Sequence, residues 1–322
     1  MYIRKKILFL LPLIFCLSVL SSDIEEIIVK GEYREKSLGE EDSSIAVIQS
    51  EQIKSQAIKH FQQLSHLVPN LNYAASDSRA RYFQIRGIGE RSGYQGTPNS
   101  SVGFLIDDID YSGQGGIATL FDVDQVEVFR GPQGSRSGAN ALAGLIYIKT
   151  KDPTEKFEGT SELTLGDYGT QNIGIAFGGP MQNKKLKYRL VLRTDYADGF
   201  RKNIYLNKSD TSKKDELTLR YKLNWELNET TNLDFLVSKV DMDDPADIWT
   251  IDGSLNTLSD RPGMDSQNTN SYGIKITKDF SNFTVQSLTS ATKTDVIFSY
   301  DADWGNADSH FCLLYTSDAA DD

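Results

Sequence analysis

Residues 216–227 alternate between apolar and polar side chains without a break. The apolar positions are Leu217, Leu219, Tyr221, Leu223, Trp225 and Leu227, and the polar positions are Glu216, Thr218, Arg220, Lys222, Asn224 and Glu226. A period of two indicates a β-strand with one apolar and one polar face, and this run is longer than a usual strand of a soluble protein. Its length fits a tilted membrane crossing with a lipid-facing side and a polar inner side.

The same period recurs after residue 153, which predicts about seven strands. The other predicted strands are Phe157 to Leu165, Ile173 to Phe177, Leu186 to Tyr196, Asn232 to Val237, Tyr272 to Lys278 and Phe283 to Tyr300. Short connections near 179–185, 228–231 and 279–282 alternate with long ones at 198–214 and 243–270, as periplasmic turns and outer loops do in membrane β-barrels. Tyr168, Tyr196, Tyr221 and Trp225 are expected at the membrane interfaces. The alternative for this half is a soluble β-sandwich.

Composition excludes several classes of function. The net charge of -11 argues against a nucleic-acid partner, because neutralising phosphates needs a basic face. The chain has 3 His and 2 Cys, too few for a zinc site or a disulfide framework. His60 and His66 lie six residues apart in a predicted helix and therefore on different faces, so we expect no metal site.

Both ends of the chain have unusual composition. Residues 1–22 carry basic residues followed by the apolar run Ile7 to Leu20, which is typical of a cleaved signal peptide; an N-terminal membrane anchor is the alternative. Residues 312–322, CLLYTSDAADD, resemble a translated sequencing-library adapter. We therefore expect a non-native tail there, and a natural chain that is cut near Phe311.

Residues 126–153 read VEVFRGPQGSRSGANALAGLIYIKTKDP. Two β runs, Val126 to Phe129 and Leu145 to Thr150, flank an intervening segment. Gly and Pro residues in that segment prevent it from forming a regular helix or strand. The stretch closely resembles the last motif of the plug domain of TonB-dependent outer-membrane receptors. YFQIRG at 82–87 resembles the FxIRG segment of the same domain, and SVGFLIDDIDY at 101–111 resembles its VxVYVDGV strand and turn, with Asp108 where Gly is usual.

The resemblance implies an α+β plug domain followed by an antiparallel transmembrane β-barrel. The plug is expected at 44–153, after a flexible leader at 23–43, and residues 154–311 supply about seven of roughly 22 barrel strands. Within the plug we expect a strand at Ile45 to Ile48, a helical piece from Ser50, and a second helix at His60 to Leu67 that Pro69 stops. A partial barrel would leave open sheet edges in lipid, so the sequence is interpreted as part of a receptor.

The leader holds the expected TonB box, which pairs with a sheet edge of TonB in the periplasm. Its residues are Ile24, Glu25, Glu26, Ile27, Ile28 and Val29. Strand addition takes its affinity from the backbone and tolerates varied side chains, so the residue types alone do not identify a TonB box. The position of this segment, after a signal peptide and before the plug pattern, favours a TonB box over an ordinary strand.

Arginines in the plug suggest two roles. The resemblance implies that Arg86 and Arg130 form a lock between plug and barrel, with carboxylate partners expected beyond the cut, because unpaired burial costs several kcal/mol. Clustered Arg and Tyr can also bind an anionic ligand. The candidate ligand-binding residues are Arg79, Arg81, Tyr82, Arg91 and Tyr94. For the three arginines of this set, a solvated loop with one internal salt bridge is the alternative.

Asp107, Asp108 and Asp110 follow an apolar run that begins at Val102. Three aspartates in four residues can coordinate calcium, but we interpret them as a solvated turn.

The resemblance implies TonB-dependent active transport of a scarce ligand across the outer membrane of a Gram-negative cell. A ferric siderophore is the first expected ligand, and cobalamin, haem or a glycan are the others. We expect no permanently bound cofactor, although the transported ligand can contain iron. The expected partners are TonB, outer-membrane lipid and the small-molecule ligand, with the plug and leader facing the periplasm.

A passive β-barrel pore with an N-terminal constriction domain is the alternative function. A signalling receptor would need an extra domain of roughly 80 residues before the plug. No catalytic set is evident, since Ser135 and Ser137 have no plausible histidine base, and we expect no enzyme.

Overall fold

The computed structural model describes residues 26–34, 36–75, 78–92, 99–137, 140–182 and 184–309. The predicted signal peptide, Ile24, Glu25, Tyr94 and the predicted adapter-derived tail lie outside these ranges. The chain divides into two compact units, residues 1–42 and residues 43–322, which are described separately. Among the described residues, no helix is long and apolar enough to cross a membrane.

The described part of the first unit contains a small β-hairpin. Strand β1, Ile28–Val29, pairs antiparallel with β2, Lys36–Ser37, and a 3₁₀ helix at Leu38–Glu40 follows. The amide of Leu38 donates to the carbonyl oxygen of Ile27 at 2.8 Å. The segment expected as a flexible leader therefore contains regular hydrogen bonds, and residues 28 and 29 of the predicted TonB box already form part of a strand pair.

The second unit begins with the predicted plug, which is built on a five-stranded mixed sheet. Its strands are β3, Ile45–Gln49; β6, Val102–Ile106; β7, Ile109–Asp110; β8, Val123–Arg130; and β9, Gly144–Thr150. They are arranged in the order β3-β8-β9-β6-β7, and the pair β6 and β9 is parallel. A separate hairpin joins β4, Leu71–Ala75, to β5, Ala80–Ile85. The helices are α1, Ser50–Ser55; α2, Gly134–Ser137; and 3₁₀ helices at Phe61–Leu67 and Gly115–Ile117.

Three phenylalanines form the centre of the plug core. The ring of Phe61 lies edge-on to the rings of Phe83 and Phe104, at 4.9 and 5.4 Å between centroids, and the latter two rings stack at 5.5 Å. Phe61 opens the predicted second helix, which is a short 3₁₀ helix that ends at Leu67, two residues before Pro69. Val240 and Met242 of the following sheet belong to the same buried cluster, so the plug core extends onto that sheet.

The rest of the unit is dominated by one seven-stranded antiparallel sheet, here called the wall. Its strands are β10, Glu158–Leu165; β11, Gln171–Pro180; β12, Leu186–Ala197; β14, Lys214–Asn228; β15, Thr231–Ala246; β17, Gly263–Asp279; and β18, Thr284–Ser299. They follow one another in chain order across the sheet, and the prediction of about seven strands is confirmed.

The second long loop is shorter than predicted. Strands β15 and β17 continue past the apolar alternation, so the loop between them spans 247–262 and not 243–270. The added strand residues Asp244 and Asp265 face inward and are fully buried. These parts of the strands lack the alternation of apolar and polar side chains, so the sequence pattern did not identify them as strand. Two short strands, β13, Lys202–Asn203, and β16, Asn256–Thr257, link the two long loops by a parallel pair.

The two faces of the wall differ as the alternation predicted. Large apolar side chains are exposed on the outer face, among them Leu163, Ile173, Ile175, Leu190, Leu219, Trp225, Leu227, Val237, Tyr272, Ile274 and Ile276. The inner face carries buried charged and polar side chains, and it packs against the plug. The plug thus covers the face that sequence analysis assigned to the barrel interior.

Candidate functional site: the plug–wall interface

Charged side chains on the inner face of the wall form two clusters of opposite sign along the strands. Exceptions are Arg193, which pairs with Asp195 and Glu162, and Glu226, which pairs with Lys187. Near the long-loop end lie Asp195, Glu216, Asp244 and Asp265, here called the acidic band. Toward the short-turn end lie Lys187, Arg189, Arg220, Lys222 and Lys275, here called the basic band. Strand register aligns each set across neighbouring strands: Asp195 is opposite Glu216, Asp244 is opposite Asp265, and Arg189 is opposite Lys222.

The acidic band binds the plug segment 78–81. Arg79 makes a forked ion pair with Glu216, with Nε to Oε1 at 2.6 Å and Nη2 to Oε2 at 2.9 Å. Arg81 pairs with Asp265, and the hydroxyl of Ser78 donates to Asp244. Forked arginine–carboxylate pairs fix both distance and orientation, so this contact sets the position of β5 against the wall.

The basic band binds plug aspartates from three separate turns. Lys222 Nζ lies 2.9 Å from Asp107 Oδ1 and 3.0 Å from Asp152 Oδ1. Arg189 makes two bonds to Asp122, of 2.7 and 2.5 Å. The plug is therefore positive where the wall is negative and negative where the wall is positive, which specifies one docked orientation.

Asp107 is aimed at the wall by a tight turn. Asp107 and Asp108 have φ of 48° and 69°, and they connect β6 to β7 as a two-residue hairpin of the type I′ family. Asp107 also accepts bonds from the amide of Thr150 at 3.0 Å and from its hydroxyl. Burial alone would raise the pKa of Asp107, but Lys222 and Lys149 outweigh burial and hold that pKa below its usual value. The carboxylate is therefore a charged anchor within the interface.

Phe121 supplies the apolar part of the same contact. Its ring packs in a buried cluster with Ala176 and Val191 of the wall, and the guanidinium of Arg193 lies 5.6 Å from the ring centroid. A Cβ at Gly174 would lie 2.7 Å from the ring, so this wall position has room only for glycine. Phe121 thus seats the plug on β11 and β12.

The sequence-predicted site residues fall into different surroundings. Arg79 and Arg81 are not in a solvated loop, because both are committed to wall carboxylates. Tyr82 is half-buried on β5, Arg91 is exposed, and Tyr94 lies outside the described residues.

The two arginines expected to form the lock have no ion pair of their own among the described residues. Arg86 is exposed in a turn with φ of 53°. Arg130 donates to the carbonyl oxygen of Ile45 at 3.5 Å, and its buried Nε has no hydrogen-bond partner within the described part of the chain. The lock they were expected to form stays a prediction.

The aspartate turn at 107–110 was only partly predicted. Asp110 is exposed, but the side chain of Asp107 is 6% exposed and ion-paired, so a wholly solvated turn was wrong for it. No group of three or more metal-ligating side chains is found among the residues that the structure describes. The sequence analysis did not predict that Asp107, Asp122 and Asp152 bind the wall. A signal for these contacts was present, because charged residues occupy the polar positions of the alternating strands and need partners of opposite charge.

The long loops interlock at the outer end of the wall. Asn203 Nδ2 donates to Asp247 Oδ2 at 2.9 Å and to the carbonyl oxygen of Ser259 at 2.8 Å. The rings of Trp249 and Trp304 stack at 5.5 Å and remain about two-fifths exposed. Buried polar contacts therefore hold these loops as one layer that presents aromatic surface to solvent.

His60 is a buried histidine between the plug core and the wall, and it makes plug stability depend on pH. Its Nε2 donates to the carbonyl oxygen of Gly116 at 2.9 Å and its Nδ1 accepts from the amide of Gln62 at 3.4 Å, which defines a neutral ring. Burial, with a contribution from Arg79, places the pKa of His60 well below its ordinary value of 6.5. The unfolded chain therefore binds this proton more readily, and stability falls as pH drops below 6.5.

We expect His60→Asn to remove this acid sensitivity. Between pH 7.5 and 5, the free energy of unfolding of the wild type should fall relative to the variant by up to about 1.4 kcal/mol per pH unit. Urea unfolding at a series of pH values measures the slope. His66→Asn, an exposed histidine of the same helix, is the matched control and should keep the wild-type slope. Equal slopes for wild type and His60→Asn would contradict the assignment.

Comparison with protein-family models matches part of the chain. Residues 37–145 match the TonB-dependent Receptor Plug Domain. Among curated proteins, the chain is 26% identical over 157 residues to the pesticin receptor of Yersinia enterocolitica, covering 48% of this chain and 23% of that protein. It is 25% identical over 158 residues to the vitamin B12 transporter BtuB of Vibrio vulnificus, covering 45% and 26%. The chain thus spans about a quarter of the length of these relatives.

Solved structures agree on the fold. The ferric yersiniabactin uptake receptor FyuA of Yersinia pestis superposes with a TM-score of 0.71 at 19% identity, over 81% of this chain and 42% of that one. The ferripyoverdine receptor of Pseudomonas aeruginosa gives a TM-score of 0.68 at 18% identity, over 88% and 38%. The superposed portion exceeds residues 37–145, so the likeness includes strands of the wall.

Proposed function

Because the chain belongs to the family of TonB-dependent outer-membrane receptors, we propose that it acts in active uptake of a scarce ligand across the outer membrane. The observation that carries the proposal is the plug docked on the polar face of the wall by two oppositely charged bands. A plug held in part by ion pairs and hydrogen bonds closes the barrel interior and can be released by a mechanical or competing interaction. A passive pore has no need of such a removable closure.

The proposed ligand is a ferric siderophore, and cobalamin, haem and a glycan are the alternative ligands. Support comes from the relatives, whose names include a pesticin receptor, a vitamin B12 transporter and a ferripyoverdine receptor. The interlocked outer loops, with exposed Trp249 and Trp304, offer a preformed surface for capture. In this proposal, iron is part of the transported ligand and not a cofactor of the protein.

We propose TonB as the partner that supplies energy, by strand addition to Ile24, Glu25, Glu26, Ile27, Ile28 and Val29. In the free chain, Ile28 and Val29 pair with Ser37 and Lys36, so a TonB strand would replace β2 as their neighbour. The plug and leader then face the periplasm.

Ile27→Pro is expected to abolish uptake while leaving surface binding of the ligand intact. Proline removes one backbone donor and restricts φ, which disrupts an added strand. The measurement is radiolabelled uptake of a panel of ferric siderophores, haem and cobalamin by Gram-negative cells that express the receptor gene containing this chain.

Asp42→Pro is the control for Ile27→Pro, because it places proline in the same unit outside the predicted box and outside regular structure. It should retain uptake. If Ile27→Pro takes up ligand at the wild-type rate, the TonB proposal is wrong and the passive pore becomes the better account.

The apolar outer face of the wall predicts how substitutions behave in lipid. Leu219 lies near the middle of β14 on the outer face, so Leu219→Arg should cost about 2–4 kcal/mol in a bilayer. Leu227→Arg, near the short-turn end of the same strand, should cost about 0–1 kcal/mol. Urea unfolding in lipid vesicles measures both. Equal costs at the two positions would argue for a wall that does not cross the membrane.

A further inference from the structure

A small cavity lies between the plug and the wall, inside the basic band. Its volume is about 20 Å³, enough for one or two particles the size of water. Plug and wall contribute its lining residues, which are Ile106, Asp107, Tyr111, Ile117, Thr119, Thr218, Arg220, Leu236, Ser238 and Val240. Plug and wall each contribute both apolar and polar side chains to this lining.

Arg220 is the buried cation of this cavity that lacks a carboxylate partner. Its side chain is 7% exposed, and Nη2 donates to the carbonyl oxygen of Phe121 at 3.2 Å. The nearest plug carboxylates are already engaged: Asp107 with Lys222, and Asp122 with Arg189. Among the described residues, no carboxylate oxygen lies within 4.0 Å of Arg220. A buried guanidinium in this position is costly without a counter-charge.

Several hydroxyl groups around the cavity can donate alongside Arg220. The phenol of Tyr111 is protonated at neutral pH, since burial raises its pKa from the ordinary value of 10 to about 12, and its hydroxyl also lies within hydrogen-bond reach of Ser271 on β17. Thr119 Oγ1 accepts from the amide of Phe121 at 3.5 Å, which leaves its own proton for another acceptor. Thr218 and Ser238 add hydroxyls from the wall.

The carboxylate that lines the cavity does not oppose an anion. Asp107 Oδ1 accepts from Lys222 at 2.9 Å and from the amide of Thr150 at 3.0 Å, and Oδ2 accepts from the hydroxyl of Thr150. Its charge is balanced by the ion pair with Lys222 and by the more distant Lys149 and Arg220. A cavity of about 20 Å³ fits a monatomic anion better than sulfate, phosphate or a carboxylic acid.

We propose that this cavity binds one halide ion, chloride under physiological conditions, held by Arg220 of the wall and by Tyr111 and Thr119 of the plug. Asp107 and Asp122 attract Arg220 at longer range but are each ion-paired to another cation, so the halide would be the direct partner of the guanidinium and would bridge the two parts of the fold. This inference does not depend on transport.

Bromide is the direct probe, because its anomalous scattering distinguishes it from water. Crystals of the wild-type chain in detergent, grown in sodium bromide, should show an anomalous peak within about 3.5 Å of the Arg220 guanidinium, at hydrogen-bond distance. The peak should weaken in Tyr111→Phe. A filled cavity without anomalous signal would identify water and overturn the proposal.

Solution stability gives a second measurement. At equal ionic strength, wild type in sodium chloride should melt roughly 2–4 °C higher than in sodium gluconate. Arg220→Met should lose this difference, whereas Arg201→Met, which removes an arginine from an outer loop, should retain it. A wild-type protein with the same melting temperature in both salts would also overturn the proposal.

Discussion

Asp107→Asn is expected to destabilise the docked plug by about 3 kcal/mol, because it leaves the half-exposed Asp152 as the one remaining carboxylate of buried Lys222 among the described residues. The carboxylate of Asp107 has four described bonding or ion-pair contacts, to the amide and hydroxyl of Thr150, to Lys222 and to Lys149. Asparagine tolerates the left-handed backbone of this turn, so the substitution tests the charge and not the turn. Urea unfolding of the protein in detergent micelles measures the effect.

Asp108→Asn is the matched control for Asp107→Asn. Asp108 shares the turn and its backbone conformation, but its carboxylate lies 3.8 Å from Lys275 at a more exposed position, so the loss should stay below about 1 kcal/mol. Adding Lys222→Met to Asp107→Asn should recover part of the loss, since no buried ammonium then lacks its partner. Equal losses at the two aspartates would show that the turn, and not the ion pair, carries the stability.

Reversing one charge of the Arg79–Glu216 pair should undock the plug. Arg79→Glu places two carboxylates together in a buried site, and Glu216→Arg does the same with two guanidiniums, so each should cost about 3–5 kcal/mol or more. The double variant restores opposite charges and should recover most of that loss. Unfolding in micelles reports stability, and leakage of a large hydrophilic dye from vesicles that carry the complete receptor containing this chain reports plug closure.

Asp215→Arg provides the comparison for the charge reversals. Asp215 is the neighbour of Glu216 on β14, but its side chain is about half exposed and pairs with Lys213 at the surface. Reversal there should change stability by less than about 1 kcal/mol and leave dye leakage unchanged. If the swapped pair leaks as much as either single reversal, Arg79 and Glu216 act independently and do not form a docking contact.

Much of this fold could be predicted because its signals are local. Alternation in residues 216–227 needs only the side-chain period of a strand, and β14 contains that whole range. The plug motif at 126–153 likewise predicted β8 and β9, which pair antiparallel in the structure.

The docking contacts could not be predicted because they join residues far apart in sequence. Arg79 and Glu216 are 137 residues apart, and a cluster of arginine and tyrosine does not by itself reveal whether its partner is a ligand or a wall carboxylate. Asp107 was assigned to solvent for the same reason. Its neighbours in sequence are typical of an exposed turn, while the group that binds it is supplied by Lys222 on a later strand.

The two bands also bear on how the plug could be displaced along the strands of the wall. Residues advance about 3.4 Å each along a strand, so a shift of roughly 7 Å in that direction would separate Arg79 from Glu216 and Asp107 from Lys222 in the same step. A shift of about 14 Å toward the short turns would bring Arg79 beside Arg220, where like charges repel. We therefore expect displacement of the plug to break both sets of ion pairs together instead of one after the other.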